Sequence, residues 1–362
     1  MNKQMKVTIA IAFMFIAIQG FAQTDSVQSP LTLTGYVETY YTYDFGNPAD
    51  HKRPAFTYSH NRHNEVNLNL AFVKAAYQKE NVRANLAFMA GTYANANLAA
   101  EPGVLKNVFE ANAGVKISRK RNLWIDAGIF ASHIGFESAV SKDCWNLTRS
   151  IPADNSPYYE SGAKVGYLSN NGKWIISALI LNGWQRIQRV DGNNTPAIGH
   201  QLTYKPNAKI TLNSSSFIGN DKPDSVKQMR YFHNLYGVFQ FTDQFALTTG
   251  FDIGAEQKSK GSSAYNCWYS PVVLLKISPN SKSSIAARAE YYHDPNGVII
   301  PTGTPNGFQT WGYSVNYDYF VREHVLWRIE GRGFSAKDKN FEYSRKAANT
   351  NFFLTTSLAV AF

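Results

Sequence analysis

Cysteine is nearly absent: the 362 residues hold two, Cys144 and Cys267. Paired-cysteine metal motifs are thereby excluded, and an oxidising compartment would permit one disulfide at most. Both cysteines fall on the side of the long connections described below. A bridge between two outer loops is therefore open, provided they come close enough. Long apolar runs are also lacking. The run at 7–18 is too short for the roughly 20 residues of a spanning helix, and no later stretch approaches that length. There is no glycine-rich phosphate loop, linker, low-complexity tract or internal repeat beyond a hairpin period. Ser132-His133 invites a nucleophile reading, but no orienting acid or oxyanion hole can be placed beside it. No enzymatic activity and no cofactor is expected. His51, His60 and His63 lack the fixed ligand set of a metal site and read as an exposed polar loop. Asn146-Leu147-Thr148 matches a glycosylation acceptor pattern that is common by chance.

The chain begins with Lys3 and Lys6, then the apolar run, then Gly20-Phe21-Ala22. This is the layout of a secretory signal over residues 1–22. Gln23, not cysteine, follows the cut, so no lipid anchor is expected. The 36 Lys+Arg less Lys3 and Lys6 leave 34 against 26 Asp+Glu, a formal +8. Export excludes a nucleic-acid partner, and basic residues such as the turn Arg119-Lys120-Arg121 suit lipid head groups.

Sixteen stretches read as strands, at 31–45, 64–78, 82–91, 108–117, 122–131, 160–168, 172–181, 198–205, 208–218, 229–241, 244–254, 267–277, 283–293, 308–320, 323–334 and 351–362. The connections alternate short and long. Turn chemistry such as Asn171-Gly172, Pro206-Asn207 and Pro279-Asn280 marks the short ones. Side chains alternate. Phe352, Leu354, Thr356, Leu358, Val360 and Phe362 share one face of the last strand. Val66, Leu68, Leu70 and Phe72 share one face of the second, opposite Glu65, Asn67, Asn69 and Ala71. Aromatics gather at strand ends (Tyr40, Tyr41, Tyr43; Tyr291, Tyr292; Tyr317, Tyr319, Phe320), as at membrane interfaces. The predicted fold is an all-β transmembrane antiparallel barrel of about sixteen strands over 23–362, with short periplasmic turns and long extracellular loops in the outer membrane. Backbone groups in lipid must pair within the protein, so the sheet must close.

The polar strand faces place Glu38, Glu65, Arg83, Glu110, Asp126, Arg288, Glu290, Arg328, Glu330 and Arg332 toward the interior, with Asp44, Lys116, Glu160, Lys164, Lys209, Arg230, Asp252 and Asp318. So many ions in a dry core would each cost several kcal/mol. A water-filled pore with charged walls is the expectation. The longest connection, 132–159, carries mixed charge and aromatics, and an inward fold would put Glu137, Asp143, Arg149 and Asp154 at a constriction.

The segments Gly35-Tyr36 through Tyr43-Asp44-Phe45, 62–70 (RHNEVNLNL), Gly91-Thr92-Tyr93 with Glu101-Pro102, 128–137 (GIFASHIGFE), Ser156-Pro157-Tyr158-Tyr159 and Leu181-Asn182-Gly183-Trp184-Gln185 together resemble the β-barrel porin family called OmpL-like, of Bacteroidetes-type bacteria. The resemblance implies an outer-membrane barrel with pore activity and leaves the solute unnamed. The expected function is passive diffusion of small hydrophilic solutes and ions, with a slight anion preference from the net charge. A solute-specific sugar or anion channel is the alternative, with Trp145, Tyr158, Tyr159, Trp184, Trp268 and Trp311 available to stack on sugar rings. An outer-membrane hydrolase is the third reading, without a catalytic set to support it. Expected partners are outer-membrane lipid, the barrel-assembly machinery through Phe362, and a second copy of the chain.

Overall fold

In the computed structural model, which describes residues 29–362, the alternating segments become strands. They are β1 (Leu31–Asp44), β2 (Val66–Lys79), β3 (Val82–Ala90), β4 (Val108–Lys116), β5 (Asn122–Ala131), β6 (Tyr159–Leu168), β7 (Trp174–Leu181), β8 (Ala197–Asn207), β9 (Ile210–Asn220), β10 (Met229–Gln240), β11 (Phe245–Gln257), β12 (Tyr265–Ile277), β13 (Ser283–Asp294), β14 (Phe308–Arg322), β15 (Val325–Ala336) and β18 (Thr350–Ala361). A two-stranded hairpin, β16 (Phe341–Tyr343) with β17 (Lys346–Ala348), sits in the last long connection. The sixteen longer strands form a closed barrel in chain order, and β1 seals it against β18 from Tyr36↔Ala361 to Asp44↔Phe353. Closure leaves no edge, which is what lipid demands of a sheet. The expected export signal at 1–22 lies outside the described residues.

The outward face is apolar. Val73, Leu86, Ile176, Ile180, Leu235, Val273, Val315, Leu354 and Leu358 are exposed there. Exposed Tyr43, Tyr265, Trp311 and Phe352 lie toward the long-loop end, and Tyr77, Trp174, Phe241 and Phe320 toward the short-turn end. The belt is interrupted on β8–β10, where His200 Nδ1 meets Ser216 Oγ at 2.6 Å and Ser214 Oγ meets His233 Nε2 at 3.2 Å. These four polar side chains alternate with exposed Ile198, Leu202, Leu212 and Leu235.

Three sequence expectations change. In β2, Leu70 is fully buried inside the barrel and Phe72 stacks on Tyr36, although period two assigns both to the lipid face. A bulge opposite Glu38/Thr39 inserts one residue, Asn69, and reverses the phase; one extra residue exchanges the two faces of a strand. Tyr40 and Tyr292 point inward and are buried, so only their neighbours Tyr41 and Tyr291 can serve an interfacial belt. The two cysteines do not pair: Cys144 is buried in the 132–159 connection and Cys267 is exposed on β12.

Candidate functional site: a loop folded across the lumen

The 132–159 connection crosses the barrel interior. A crossing loop has no strand partners, so its backbone must be satisfied by wall side chains. β13, β14 and β15 supply them. Arg288, Ser314 and Arg332 stand side by side across these strands. Arg288 Nη1 donates to Thr148 O at 2.7 Å, and Arg332 Nη1 to Arg149 O at 2.5 Å. Arg328 donates to Ser141 O at 2.5 Å and Cys144 O at 2.9 Å. The carboxylates take the N–H groups: Glu330 accepts from Thr148 N and Glu290 from Ile151 N, both at 2.5 Å. Asn316 Oδ1 accepts from Leu147 N at 3.1 Å. At Gly312 a Cβ would lie 2.7 Å from Glu290 Oε1, so the absence of a side chain makes room for that carboxylate.

Other walls hold the near part of the loop. Ser141 Oγ donates to Glu38, which also accepts from Asn69 Nδ2 at 2.8 Å and faces His60 Nε2 at 3.3 Å. His133 Nε2 meets Ser216 O at 2.8 Å, packed where Gly199 leaves space. Gly135 N donates to Asn234 Oδ1 at 3.3 Å.

The residues named from sequence sort into three groups. Glu290, Arg288, Arg328, Glu330, Arg332 and Glu38 are fully or almost fully buried. The five on β13 and β15 are met by loop backbone, by Asp318 at Arg328 and by one another, as in Arg332–Glu290 and Arg288–Glu330 at 3.0 Å. Glu38 is met instead by the side chains of Ser141, Asn69 and His60. This part of the wall is a dock rather than a wetted surface: hydrogen bonds from the loop, not bulk water, offset the desolvation of these ions. Arg149, Glu137 and Asp154 hold the loop's own shape. Arg149 donates to Ser138 O, Leu147 O and Ala139 O, and Glu137 accepts from Ser150 N at 3.0 Å. Asp154 accepts from Tyr58 N and Ser59 Oγ of the first loop, both at 3.3 Å, and from Tyr158 OH at 3.2 Å. Burial pushes its carboxyl up to about 6, against the pull of Arg332 and Arg149. The third group lies apart from the docking contacts, with Asp126 buried and the others partly open or exposed. Arg83 grips Asp126 with two bonds of 2.6 Å, Glu110 pairs with Lys74 at 2.7 Å, and Asp143 stands 3.4 Å from Lys142. Glu65 is outside this set, paired with Arg62 at 2.7 Å at the end of the first loop. Of the first-loop histidines, read from sequence as exposed, His51 is exposed but His60 and His63 are buried. His60 faces Glu38, and His63, with its ring 6.2 Å from that of His51, accepts at Nδ1 from Asp44 N at 2.9 Å.

Besides Glu256 and Lys276, sequence reasoning missed Lys74. Period two places it with Leu70 and Phe72 on the lipid face, and the β2 bulge turns it inward to Glu110. Nothing local in the sequence marks that bulge.

Between the loop and β2–β5 remains a cavity of about 460 Å3, bordered by Phe72, Lys74, Phe109, Glu110, Phe136 and Asp143 among others. Lys116, Lys164 and Lys276 also lie on inward faces. Among the described residues none of the three has a carboxylate at ion-pair distance: Lys164 Nζ lies 4.6 Å over the Phe130 ring and Lys276 Nζ 5.9 Å from Trp145.

A closed antiparallel barrel with an apolar belt, polar interior and one loop folded inside defines the class of outer-membrane channels. The family model described as "Putative beta-barrel porin-2, OmpL-like" matches residues 30–362, and the chain belongs to that family. Solved structures share the fold at low identity. An anion-selective porin from Comamonas acidovorans superposes with a TM-score of 0.59 at 9% identity, over 92% of this chain and 99% of that one. Outer-membrane expressed OmpT of Vibrio cholerae gives 0.59 at 10%, over 95% and 100%. The outer-membrane channel DcaP of Acinetobacter baumannii gives 0.57 at 10%, over 94% and 100%. No curated protein matches the sequence. The chain is a porin of the outer membrane, a channel for small hydrophilic solutes, and its family and fold are those of a non-enzymatic channel.

Proposed function

We propose that the channel passes small solutes by diffusion with a preference for anions, and that the 132–159 loop is its constriction. The carrying observation is that inward acids are held by partners while three inward lysines lack a contacting carboxylate. The acids are neutralised or hydrogen-bonded: Asp126 by Arg83, Glu110 by Lys74, Glu256 by Arg230, Asp318 by Arg328, and Asp252 by Asn234. Lys116, Lys164 and Lys276 have no carboxylate at ion-pair distance among the described residues. Fixed charge on a narrow hydrated wall concentrates the opposite ion. The anion selectivity of the Comamonas acidovorans porin is a parallel on the same fold. Reversal potentials across a salt gradient test this. Anion preference is expected in the native protein and a shift toward cations in Lys164→Glu/Lys276→Glu; cation preference in the native protein ends the proposal.

Under the same proposal residues 1–22 are an export signal and no chemistry is catalysed. Phe362, with an exposed ring on a backbone paired to Gly35, presents the last strand to the assembly machinery. Copies associate through β8–β10. The His200, Ser214, Ser216 and His233 cluster is costly against lipid tails, whereas small and polar side chains suit contacts between membrane subunits. A trimer form of Vibrio cholerae OmpT is a parallel.

A further inference from the structure

The cavity beside the inward loop has features that free diffusion does not require. The rings of Tyr36, Phe72 and Phe109, from β1, β2 and β4, form a continuous stack. Tyr36 and Phe72 are 5.7 Å apart at 29°, and Phe72 and Phe109 are 4.8 Å apart at 17°. Phe72 and Phe109 border the cavity and are only partly buried, so aromatic surface of this stack faces it. Across the space Phe136, carried inward by the loop and seated against Gly250, meets Tyr236 edge-on at 5.7 Å. A passage for ions has no need of a half-exposed aromatic surface, which costs free energy in water.

The polar edge of the cavity is electrically balanced. Glu110 is matched by Lys74 at 2.7 Å and Asp143 by Lys142 at 3.4 Å. Glu137 lies 3.7 Å from Arg288. The charge that favours anions sits elsewhere, on Lys116, Lys164 and Lys276. An ion entering here would leave water without gaining a counter-charge. A neutral solute with one apolar face and many hydroxyls gains on both sides. Its C–H face covers the rings, while ammonium and carboxylate groups serve as donors and acceptors for its hydroxyls. About 460 Å3 is within the roughly 300–1,000 Å3 of small-molecule sites, room for a short saccharide.

We propose that this cavity is a saturable binding site for a neutral carbohydrate, with Phe72 and Phe109 as the apolar contact and the Lys74–Glu110 pair as the hydroxyl contact. The proposal rests on the porin reading and names a solute class for it. Of the aromatics favoured from sequence, Trp268, buried, and Trp311, exposed on the outward face, lie away from the cavity; Tyr158 and Tyr159 border it but are nearly buried.

The test is ion current through the purified full-length protein in a planar bilayer, with maltose as the probe. Maltose is expected to reduce the current along a saturating curve. Phe72→Leu/Phe109→Leu keeps apolar bulk but removes the aromatic rings and is expected to raise the half-blocking concentration roughly tenfold. Glu110→Gln, of the same shape, is expected to raise it severalfold. A conducting wild-type pore whose current falls only linearly with maltose, as viscosity alone dictates, overturns the proposal and leaves the porin reading standing. So does unchanged block in the double leucine variant, provided gel migration with and without heating shows a folded barrel. A folded barrel with no conductance defeats the porin reading itself, and the proposal with it.

Discussion

Arg328 is the perturbation that most directly tests how the loop is held. Its guanidinium is fully buried on β15 and joins Asp318 of β14, at 2.7 and 2.9 Å, to three loop carbonyls, those of Ser141, Cys144 and Trp145. Arg328→Met strips those carbonyls of a donor and leaves the Asp318 carboxylate with Asn316 Nδ2 at 2.7 Å. Removing one member of a buried ion pair costs about 3–5 kcal/mol. The backbone pairs of β15 are untouched, so the loss falls on the docked loop and not on the barrel. Even about 3 kcal/mol raises the population of undocked loop roughly a hundredfold. Arg288, Arg332, Glu290 and Glu330 still hold 148–151 and Glu38 still holds the Ser141 side chain, so the stretch between them loosens first. Single-channel recordings are expected to show higher conductance with added open-channel noise, and trypsin is expected to cut within 138–146. Arg328→Lys restores charge but cannot reach Asp318 and three carbonyls together, so it should recover only part of the effect. Arg328→Met/Asp318→Asn should be milder than Arg328→Met alone, because no orphan carboxylate remains. Wild-type conductance, noise and protease resistance in Arg328→Met would refute the view that these wall ions fix the loop.

Two further outcomes follow from the same packing. Asp154 is held near 6 by burial among Tyr58, Ser59 and Tyr158, with Arg149, Arg332 and Glu137 nearby. The docked state therefore binds a proton between its ordinary pKa near 4 and 6 that the undocked loop does not bind. Docking strengthens as pH falls through that window and weakens as pH rises through about 6. Asp154→Asn mimics the protonated form. The difference in protease resistance between wild type and variant should vanish at pH 4 and grow by pH 7.5, and a constant difference refutes the assignment. The buried imidazoles His60 and His133, the latter pushed down to about 4, act in the opposite sense below 6.5 and cancel in that comparison. Separately, a maleimide should label Cys267 in the folded protein and reach Cys144 only after denaturation, with identical migration on reducing and non-reducing gels; a mobility shift on reduction would contradict the free-thiol arrangement.

The strand number, the end that carries long loops and the faces of β13, β15 and β18 were legible in the chain, because each depends on neighbours two residues apart and on local turn chemistry. The charged residues of those strands were legible as interior for the same reason. Their task was not. Arg288, Arg328 and Arg332 carry the same alternation whether water or a loop lies before them, and only the path of 132–159, some 140 to 190 residues away in sequence, turned them from a wetted wall into a dock. The bulge at Asn69 was equally invisible, since it shows only against the facing β1 register; it moved Leu70, Phe72 and Lys74 inside and let Phe72 join the aromatic stack. Short-range periodicity determined that this chain is a membrane-spanning barrel. Long-range pairing and desolvation, which exist only once the ring has closed, decided what remains open inside it.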